Sequence, residues 1–154
     1  MADLVTHYLT ARIPAARLSR PIQAAFVVGA LLPDVVGKFL DRALQTSMRF
    51  DVPSHTVLGL ALYAYAACFL FEERVRRGAW LALWLGGLLH VFVDLLKDTM
   101  GSASSAFFLF PFTARSFELG LYEPLHAVWS VPVAVVFAAS WEWFARRRGA
   151  DVWE

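Results

Sequence analysis

Five residues of metal-binding type lie inside or at the edges of long apolar stretches of the sequence. They are Asp34, His55, His90, Asp94 and His126. Ionisable groups are costly in such surroundings, so in a membrane protein their placement indicates a functional site. Imidazoles and carboxylates without a thiolate suit a divalent metal, zinc first, with manganese or iron as alternatives. A metal of this kind would activate water for hydrolysis at neutral pH.

His90 and Asp94 are spaced for a shared ligand. They are four residues apart, which places them on one face of a helix with their side-chain carbons about 5 to 6 Å apart. Gly86 and Gly87 lie one turn earlier on nearly the same face and would let a neighbouring helix approach closely. The pattern predicts a buried face on which one metal ion accepts both side chains. The alternative is a hydrogen-bonded pair that only joins two helices.

The composition predicts the class of protein. The chain has 154 residues, of which 58% are hydrophobic and 18% charged, and it is too apolar for an ordinary soluble domain of this size. A single membrane-embedded domain over residues 1–154 is expected. The net charge is only +1 and the basic residues are scattered, so no nucleic-acid partner is predicted. The one cysteine, Cys68, excludes a disulfide or thiolate metal site within one chain.

The hydrophobic segments predict an all-α, polytopic fold. A helix needs about 20 residues to cross a bilayer, and no segment alternates as a barrel strand would. We expect a bundle of about four transmembrane helices with an amphipathic helix before them. The four predicted spans are residues 22–40, 52–71, 79–96 and 125–144.

Two connections between the predicted spans are informative. Residues 72–78 hold acid and arginine pairs four apart and end in Gly78, which predicts a solvated helix end and a tight turn. Residues 97–123 form a longer link that includes the aromatic run 107–112 around Pro111. Such a run is unsuited to a free linker, so it is expected to form an aromatic-rich interfacial flap.

The basic residues predict an orientation. Nine of the 14 Lys and Arg lie before the first span, in the 72–78 connection or at the C-terminus, and five lie on the other side. The positive-inside rule then places both termini in the cytoplasm. Asp34, His55, His90, Asp94 and His126 would all fall at the outer level of the membrane. His7 would not, unless residues 3–13 dip back into the membrane or the orientation is reversed.

Electrostatics favour a cation at this level. Asp34 and Asp94 would repel each other if they were bundled together, and one would have to be protonated. A divalent ion removes that conflict. Simpler interpretations remain for single residues: Asp34 could cap a bend made by Pro33, and His55 could belong to a helix N-terminus. His126 could be an interfacial residue.

The order of several short motifs resembles that of a known family. The motifs are Thr6-His7, Gly29-Ala30-Leu31-Leu32-Pro33-Asp34, Ser54-His55-Thr56, Leu89-His90 with Asp94, and Leu109-Phe110-Pro111-Phe112 with Phe117 and Gly120. Together they resemble the inner-membrane metal-dependent hydrolases, which are related in motif style to the zinc-dependent phospholipases C. The resemblance spans roughly residues 3–120 and implies that the metal ligands are His7, Asp34, His55, His90 and Asp94. The sequence departs from the family where Asp51-Val52-Pro53 replaces the basic residue often found before the second motif.

These observations predict a function and its alternatives. The expected activity is hydrolysis of a phosphoester in a lipid or amphiphilic substrate, in a bacterial-type inner membrane, with the site near the outer face. Metal ligands would come from His7, Asp34, His55, His90, Asp94 and His126, and Glu123 is the candidate general acid or base. The alternatives are a proton or ion pathway and a structural subunit of a membrane complex whose metal or polar site is not catalytic.

Overall fold

The computed structural model describes residues 2–44, 51–96, 108–113, 115, 119 and 127–147, and within them the chain is helical. Five helices of at least 12 residues and one helical turn occur. In chain order they are α1 (Ala2–Ala15), α2 (Arg20–Leu44), α3 (Asp51–Ser54), α4 (Val57–Cys68), α5 (Glu73–Leu95) and α6 (Ala127–Arg147). No strand is found in these ranges, and the all-α prediction is confirmed.

Helices α2 and α5 pack closely at the centre and run in the same direction. A Cβ atom at Gly86 would collide with the carbonyl oxygen of Phe26, and one turn later the ring of His90 meets the carbonyl oxygen of Ala30. Later residues of α5 thus contact later residues of α2, which shows that the two helices are parallel. The expectation that Gly86 admits a neighbouring helix is confirmed, because a side chain there would force the two backbones apart.

Helix α1 runs back along α2 in the opposite direction. His7, in its first half, lies beside His90 at the far end of α5. At the other end of α1, Ile13 and Gln23 line one small cavity close to the start of α2. The chain therefore enters the bundle at the end of α5 that holds His90 and turns back at residues 16–19.

The remaining helices flank this core. Helix α4 is antiparallel to α5, because the indole nitrogens of Trp84 and Trp80 donate to the carbonyl oxygens of Val57 and Ala61, each at 3.3 Å. Helix α6 packs against α1, where an Arg12 side chain pairs with Glu142 at 3.0 Å. The starts of α2 and α5 are adjacent, so the α1–α2 and α4–α5 turns lie at the same end of the bundle.

Two helices have the length and composition of membrane spans. Residues Arg20–Leu40 of α2 and the whole of α5 meet both requirements. Helix α4 has 12 residues and measures about 18 Å, short of the ~30 Å of a bilayer core. It is shorter than predicted because residues 51–54 form a separate turn and Thr56 then caps α4 by accepting from the Gly59 N–H at 2.9 Å. In α6 the apolar part is Pro132–Phe144, so a bundle of four spans stays a prediction.

Side-chain size is distributed as in packed membrane helices. Seven of the ten residues in the main buried cluster are alanines, which lets helices approach without large side chains between them. Many large apolar side chains face outward, among them Phe39, Phe112 and Leu70, which are 66%, 81% and 88% exposed. An outer surface of this kind is suited to an apolar surrounding phase rather than to water.

Several local predictions differ from the structure. Helix α5 begins at Glu73 and passes through Gly78, so the predicted connection over 72–78 is mostly the first turns of that helix. Glu72 precedes the helix, and its carboxylate pairs with Arg74 at 2.6 Å instead of with Arg76. Helix α1 is present, but an amphipathic character is not seen: its buried residues include Thr6 and His7, while Val5 is 45% exposed.

The aromatic link is described only in part. Residues 108–112 form a turn, and the carbonyl oxygen of Phe108 accepts from the Val57 N–H at 2.8 Å. This bond ties the turn to the start of α4, two residues after His55. The rest of the predicted flap, apart from residues 113, 115 and 119, lies outside the described residues, so its role as a roof stays a prediction.

Candidate metal centre

Five ionisable side chains from four segments of the chain meet at one end of the bundle. Each is less than a tenth exposed. Their positions follow from the helix directions: α5 brings two of them to this level, α1 and α2 bring one each, and the turn after α3 adds the fifth. The five are His7 on α1, Asp34 on α2, His55 after α3, and His90 and Asp94 on α5.

His7, His90 and Asp94 form the first potential metal-binding group, with one ligand atom of each lying within 4.8 Å of the others. The rings of His7 and His90 are stacked with their centroids 3.7 Å apart. Nε2 of His7 lies 3.3 Å from Oδ1 of Asp94, and Nε2 of His90 lies 3.2 Å from Oδ2. Nε2 of His55 also lies 3.7 Å from Oδ2, so the Asp94 carboxylate is close to all three imidazoles.

Asp34, His55 and His90 form the second group. Nε2 of His55 lies 3.3 Å from Nε2 of His90 and 4.0 Å from Oδ1 of Asp34. Nδ1 of His55 is 3.0 Å from the hydroxyl oxygen of Ser54, a contact that orients the ring. His90 belongs to both groups. Two neighbouring metal ions would therefore share it, or a single ion would occupy one of the two positions.

The protonation of His90 follows from its surroundings. Nδ1 lies 2.7 Å from the carbonyl oxygen of Ala30, which only accepts, so this nitrogen carries a proton. In neutral His90 the other nitrogen, Nε2, then presents a lone pair toward the Asp94 carboxylate. Two acceptors at this distance need either a proton between them, carried by the ring or by the carboxyl group, or a metal ion. A carbonyl behind a ligating imidazole is also the usual arrangement at metal sites.

Lys38 is the nearest described cation to the cluster. Its ammonium group donates to Oδ2 of Asp34 at 2.6 Å, from one turn further along α2, and its side chain is 54% exposed. With Asp34 and Asp94 ionised and Lys38 protonated, the formal charge of these three groups is −1. A single divalent ion would change it to +1, which suits an anionic ligand. The donor set and its charge therefore fit a divalent metal ion.

A family model matches nearly the whole chain. The YdjM inner membrane protein family matches residues 3–153. The chain belongs to this family. Neither a curated protein nor a solved structure matches it. The YdjM description places the chain in the inner membrane, in agreement with the two long apolar helices. It does not extend the resemblance to hydrolases or to phospholipases C.

The structure brings together five of the six predicted metal ligands of this YdjM family member. His7 joins them because α1 and α2 are antiparallel, which brings the first half of α1 to the end of the bundle that holds Asp34. His126 and the candidate acid or base Glu123 lie outside the described residues.

Two groups that contact the cluster were not predicted from the sequence. Lys38 was counted only as a basic residue of one membrane side, although its spacing of four from Asp34 on one helix indicates the contact. The second partner is the backbone carbonyl of Ala30, and a backbone contact of this kind cannot be predicted from residue types.

Proposed function

We propose that the protein is a membrane-bound hydrolase that uses a divalent metal, zinc first, to cleave a phosphoester of a lipid or amphiphilic substrate. The observation that carries this proposal is the convergence of three imidazoles and two carboxylates at one buried point. Assembling these groups from separate segments is costly unless they bind something. A divalent ion held there would supply hydroxide as a nucleophile near neutral pH.

The residues around the cluster suit an anionic substrate. Lys38 is half exposed beside Asp34, so its ammonium group is placed to attract a phosphate that approaches from the membrane surface. Asp94 lies close to His7 and His90, Asp34 lies 4.0 Å from His55, and the Ala30 carbonyl keeps the His90 ring in one orientation. Glu123 stays the predicted general acid or base, and His126 stays a predicted further ligand.

The position of the cluster supports an amphiphilic substrate and an orientation. His90 and Asp94 lie in the last turns of α5, close to one end of a candidate span. Arginines are concentrated at the opposite end, around the α1–α2 turn and in the first turns of α5, and the positive-inside rule assigns this end to the cytoplasm. The cluster would then lie near the outer face. The start of α1 would lie there as well, which changes the expectation of a cytoplasmic N-terminus.

A proton pathway is the competing proposal. The contact between Nε2 of His55 and Nε2 of His90 and the stacked ring of His7 make a short chain of imidazoles, a pattern that relays protons in some transporters. Transport sites usually lie near the bilayer midplane, whereas this cluster is at one end of α5. Proton or ion flux into liposomes that depends on Asp34 or Asp94 would favour this second function.

Metal content and hydrolysis test the first proposal. Elemental analysis of the purified full-length protein should find about one or two zinc, manganese or iron ions per chain. Asp94→Asn should lose most of the metal, whereas Glu142→Gln, which removes a carboxylate that pairs with Arg12 away from the cluster, should keep it. The metal-loaded wild type, and not Asp94→Asn, should release phosphate or an alcohol from phosphodiester substrates in mixed micelles.

Two results would overturn the proposal. Wild-type protein that holds no metal even after incubation with these ions would remove its basis. Protein that binds metal through Asp94 but cleaves neither phospholipids nor chromogenic phosphodiesters would leave a structural metal site in place of an enzyme.

A further inference from the structure

A second cavity lies at the other end of α5, between the last turn of α4 and the first turns of α5. Its volume is about 490 Å³, within the range of about 300 to 1,000 Å³ found for ligand sites. Three aromatic side chains, called the aromatic wall below, and three charged side chains line it. The aromatic residues are Tyr65, Phe69 and Trp80, and the charged residues are Glu73, Arg76 and Arg77.

Arg76 has hydrogen-bonding capacity to offer at this cavity. Its guanidinium carbon lies 5.0 Å from the centre of the Phe69 ring, so the planar group stacks on the aromatic wall. Its Nε atom is buried, and no described residue provides it with a hydrogen-bond partner. A stacked guanidinium keeps its N–H groups in the plane, where a phosphate can accept two of them at once.

The charges at the cavity match a single negative group. Glu73, Arg76 and Arg77 together carry a formal charge of +1. Arg74, on the same turn, is paired with Glu72 at 2.6 Å and does not line the cavity. One phosphodiester would therefore neutralise the cavity without a further ion, provided that it lies on the arginine side and away from Glu73.

The aromatic wall continues onto a surface that faces outward. Phe69 and Leu70 are 54% and 88% exposed at the end of α4. In an inner membrane protein these side chains lie at the level of the lipid chains or just below the headgroups. A ligand with a phosphate at the arginines and a hydrocarbon part along Phe69 would fill both halves of the site.

We propose that this cavity binds one anionic phospholipid, with its phosphodiester on Arg76 and Arg77 and its acyl chains along Tyr65, Phe69 and Trp80. The site is distinct from the metal cluster, because 14 residues of α5 separate Arg76 from His90 and correspond to about 20 Å along the helix. The bound lipid would fix the depth of the α4–α5 turn in the leaflet that is rich in anionic lipid. The proposal stands whether or not the cluster is catalytic.

Fluorescence quenching tests the site in the full-length protein. Purified protein in a neutral detergent is titrated with phosphatidylglycerol brominated in its acyl chains, and separately with brominated phosphatidylcholine and phosphatidylethanolamine. The Trp80→Phe variant identifies the quenched signal that comes from the cavity. We expect half-saturation at about tenfold lower concentration for phosphatidylglycerol than for the two zwitterionic lipids.

Variants on one helical turn provide the matched comparison. Arg76→Gln and the Arg76→Gln, Arg77→Gln double variant should lose the preference for phosphatidylglycerol. Arg74→Gln, which removes one positive charge as Arg76→Gln does, should keep it. Arg76→Lys preserves the charge and removes the planar fork, and it should weaken phosphatidylglycerol binding several-fold. Should the double variant fail to fold, the wild-type headgroup comparison and Arg76→Lys decide.

Three outcomes would overturn the proposal. One is equal binding of the three lipids by the wild type. Another is a loss in Arg74→Gln as large as in Arg76→Gln, which would reveal a general effect of surface charge. The third is displacement of the lipid by inorganic phosphate at comparable concentration, which would make the cavity a site for the free anion.

Discussion

His90 donates its Nδ1 proton to the carbonyl oxygen of Ala30, 2.7 Å away, and so joins α5 to α2 at the level of the cluster. One side chain thus has two roles. Its Nδ1 atom connects the two central helices, and its Nε2 atom belongs to both potential metal groups. Replacing His90 should therefore affect stability even where no metal is bound.

Changing His90 to Ala should lower the stability of chelator-treated protein, whereas His55→Ala should lower it less. The reason is that His90→Ala leaves the Ala30 carbonyl without its partner inside the helix pair, at a cost of about 1 to 3 kcal/mol. His55 lies on a turn and contacts Ser54. Both variants should lose metal. Thermal unfolding in detergent, with and without chelator, separates the two effects, and equal losses in the apo state would contradict the double role.

Replacement of Lys38 by Met should strengthen metal binding and weaken phosphoester hydrolysis. Without its ammonium group, both oxygens of Asp34 become available to a metal. The gain should be only about two- to fivefold, because a half-exposed ion pair contributes at most ~1 kcal/mol. Competition with a chromogenic chelator measures the affinity, with Arg74→Gln as the control for net charge. Weaker metal binding in Lys38→Met would show that Lys38 supports the cluster in another way.

Ser54→Ala should reduce metal affinity about tenfold and leave the fold intact. The Ser54 hydroxyl is buried and contacts Nδ1 of His55, and partners of this kind typically change metal affinity 10- to 100-fold. Cys68→Ser, a small buried change at the other end of α4, should leave the affinity unchanged. An effect of similar size in both variants would point to general loosening of the bundle.

An alanine at Gly86 should separate α2 from α5 and lower both thermal stability and metal content. Its Cβ would collide with the backbone oxygen of Phe26, which has no room to move. Gly78→Ala is the matched control on the same helix, because its Cβ would meet only the mobile end of the Ile22 side chain, at 2.9 Å. A Gly86→Ala protein as stable as Gly78→Ala would mean that the helices pack less tightly than described.

Labelling of single cysteines should place the two ends of the bundle on opposite sides of the membrane. In a Cys68→Ala background, cysteines at Ser19 and Glu72 should react with an impermeant maleimide only from the cytoplasmic side. A cysteine at Phe112 should react only from the other side. All three positions are exposed in the structure. Reaction of Ser19→Cys and Phe112→Cys from the same side would exclude the proposed orientation.

Helical class and much of the cluster could be predicted from the sequence. The spacing of His90 and Asp94, together with Gly86, predicts a buried polar face that admits another helix, and α5 has that face. The ordered His and Asp motifs identified five candidate ligands, and all five lie in the cluster. The first feature depends on local spacing along a single helix, which the sequence states directly, whereas the ligand set was implied by the resemblance to a family.

The direction of α1 and the length of α4 could not be predicted in the same way. Helix α1 is short, and its buried face mixes Ala11 with Thr6 and His7, so hydrophobicity does not reveal which side it packs on. The apolar run around α4 is long enough for a span, yet the turn at 51–54 and the Thr56 cap shorten the helix. Both results depend on tertiary contacts and local hydrogen bonds, which the mean hydropathy of a segment does not reflect.

The cluster draws on residues from His7 to Asp94, so its order of assembly is constrained during synthesis. When α1 and α2 have left the ribosome, His7 and Asp34 still lack the imidazole and carboxylate that α5 brings. Early insertion intermediates must therefore accommodate these polar groups in water or at the lipid surface. Arrival of α5 completes the cluster, so a metal ion bound there would be captured late in biogenesis and would mark correctly inserted chains.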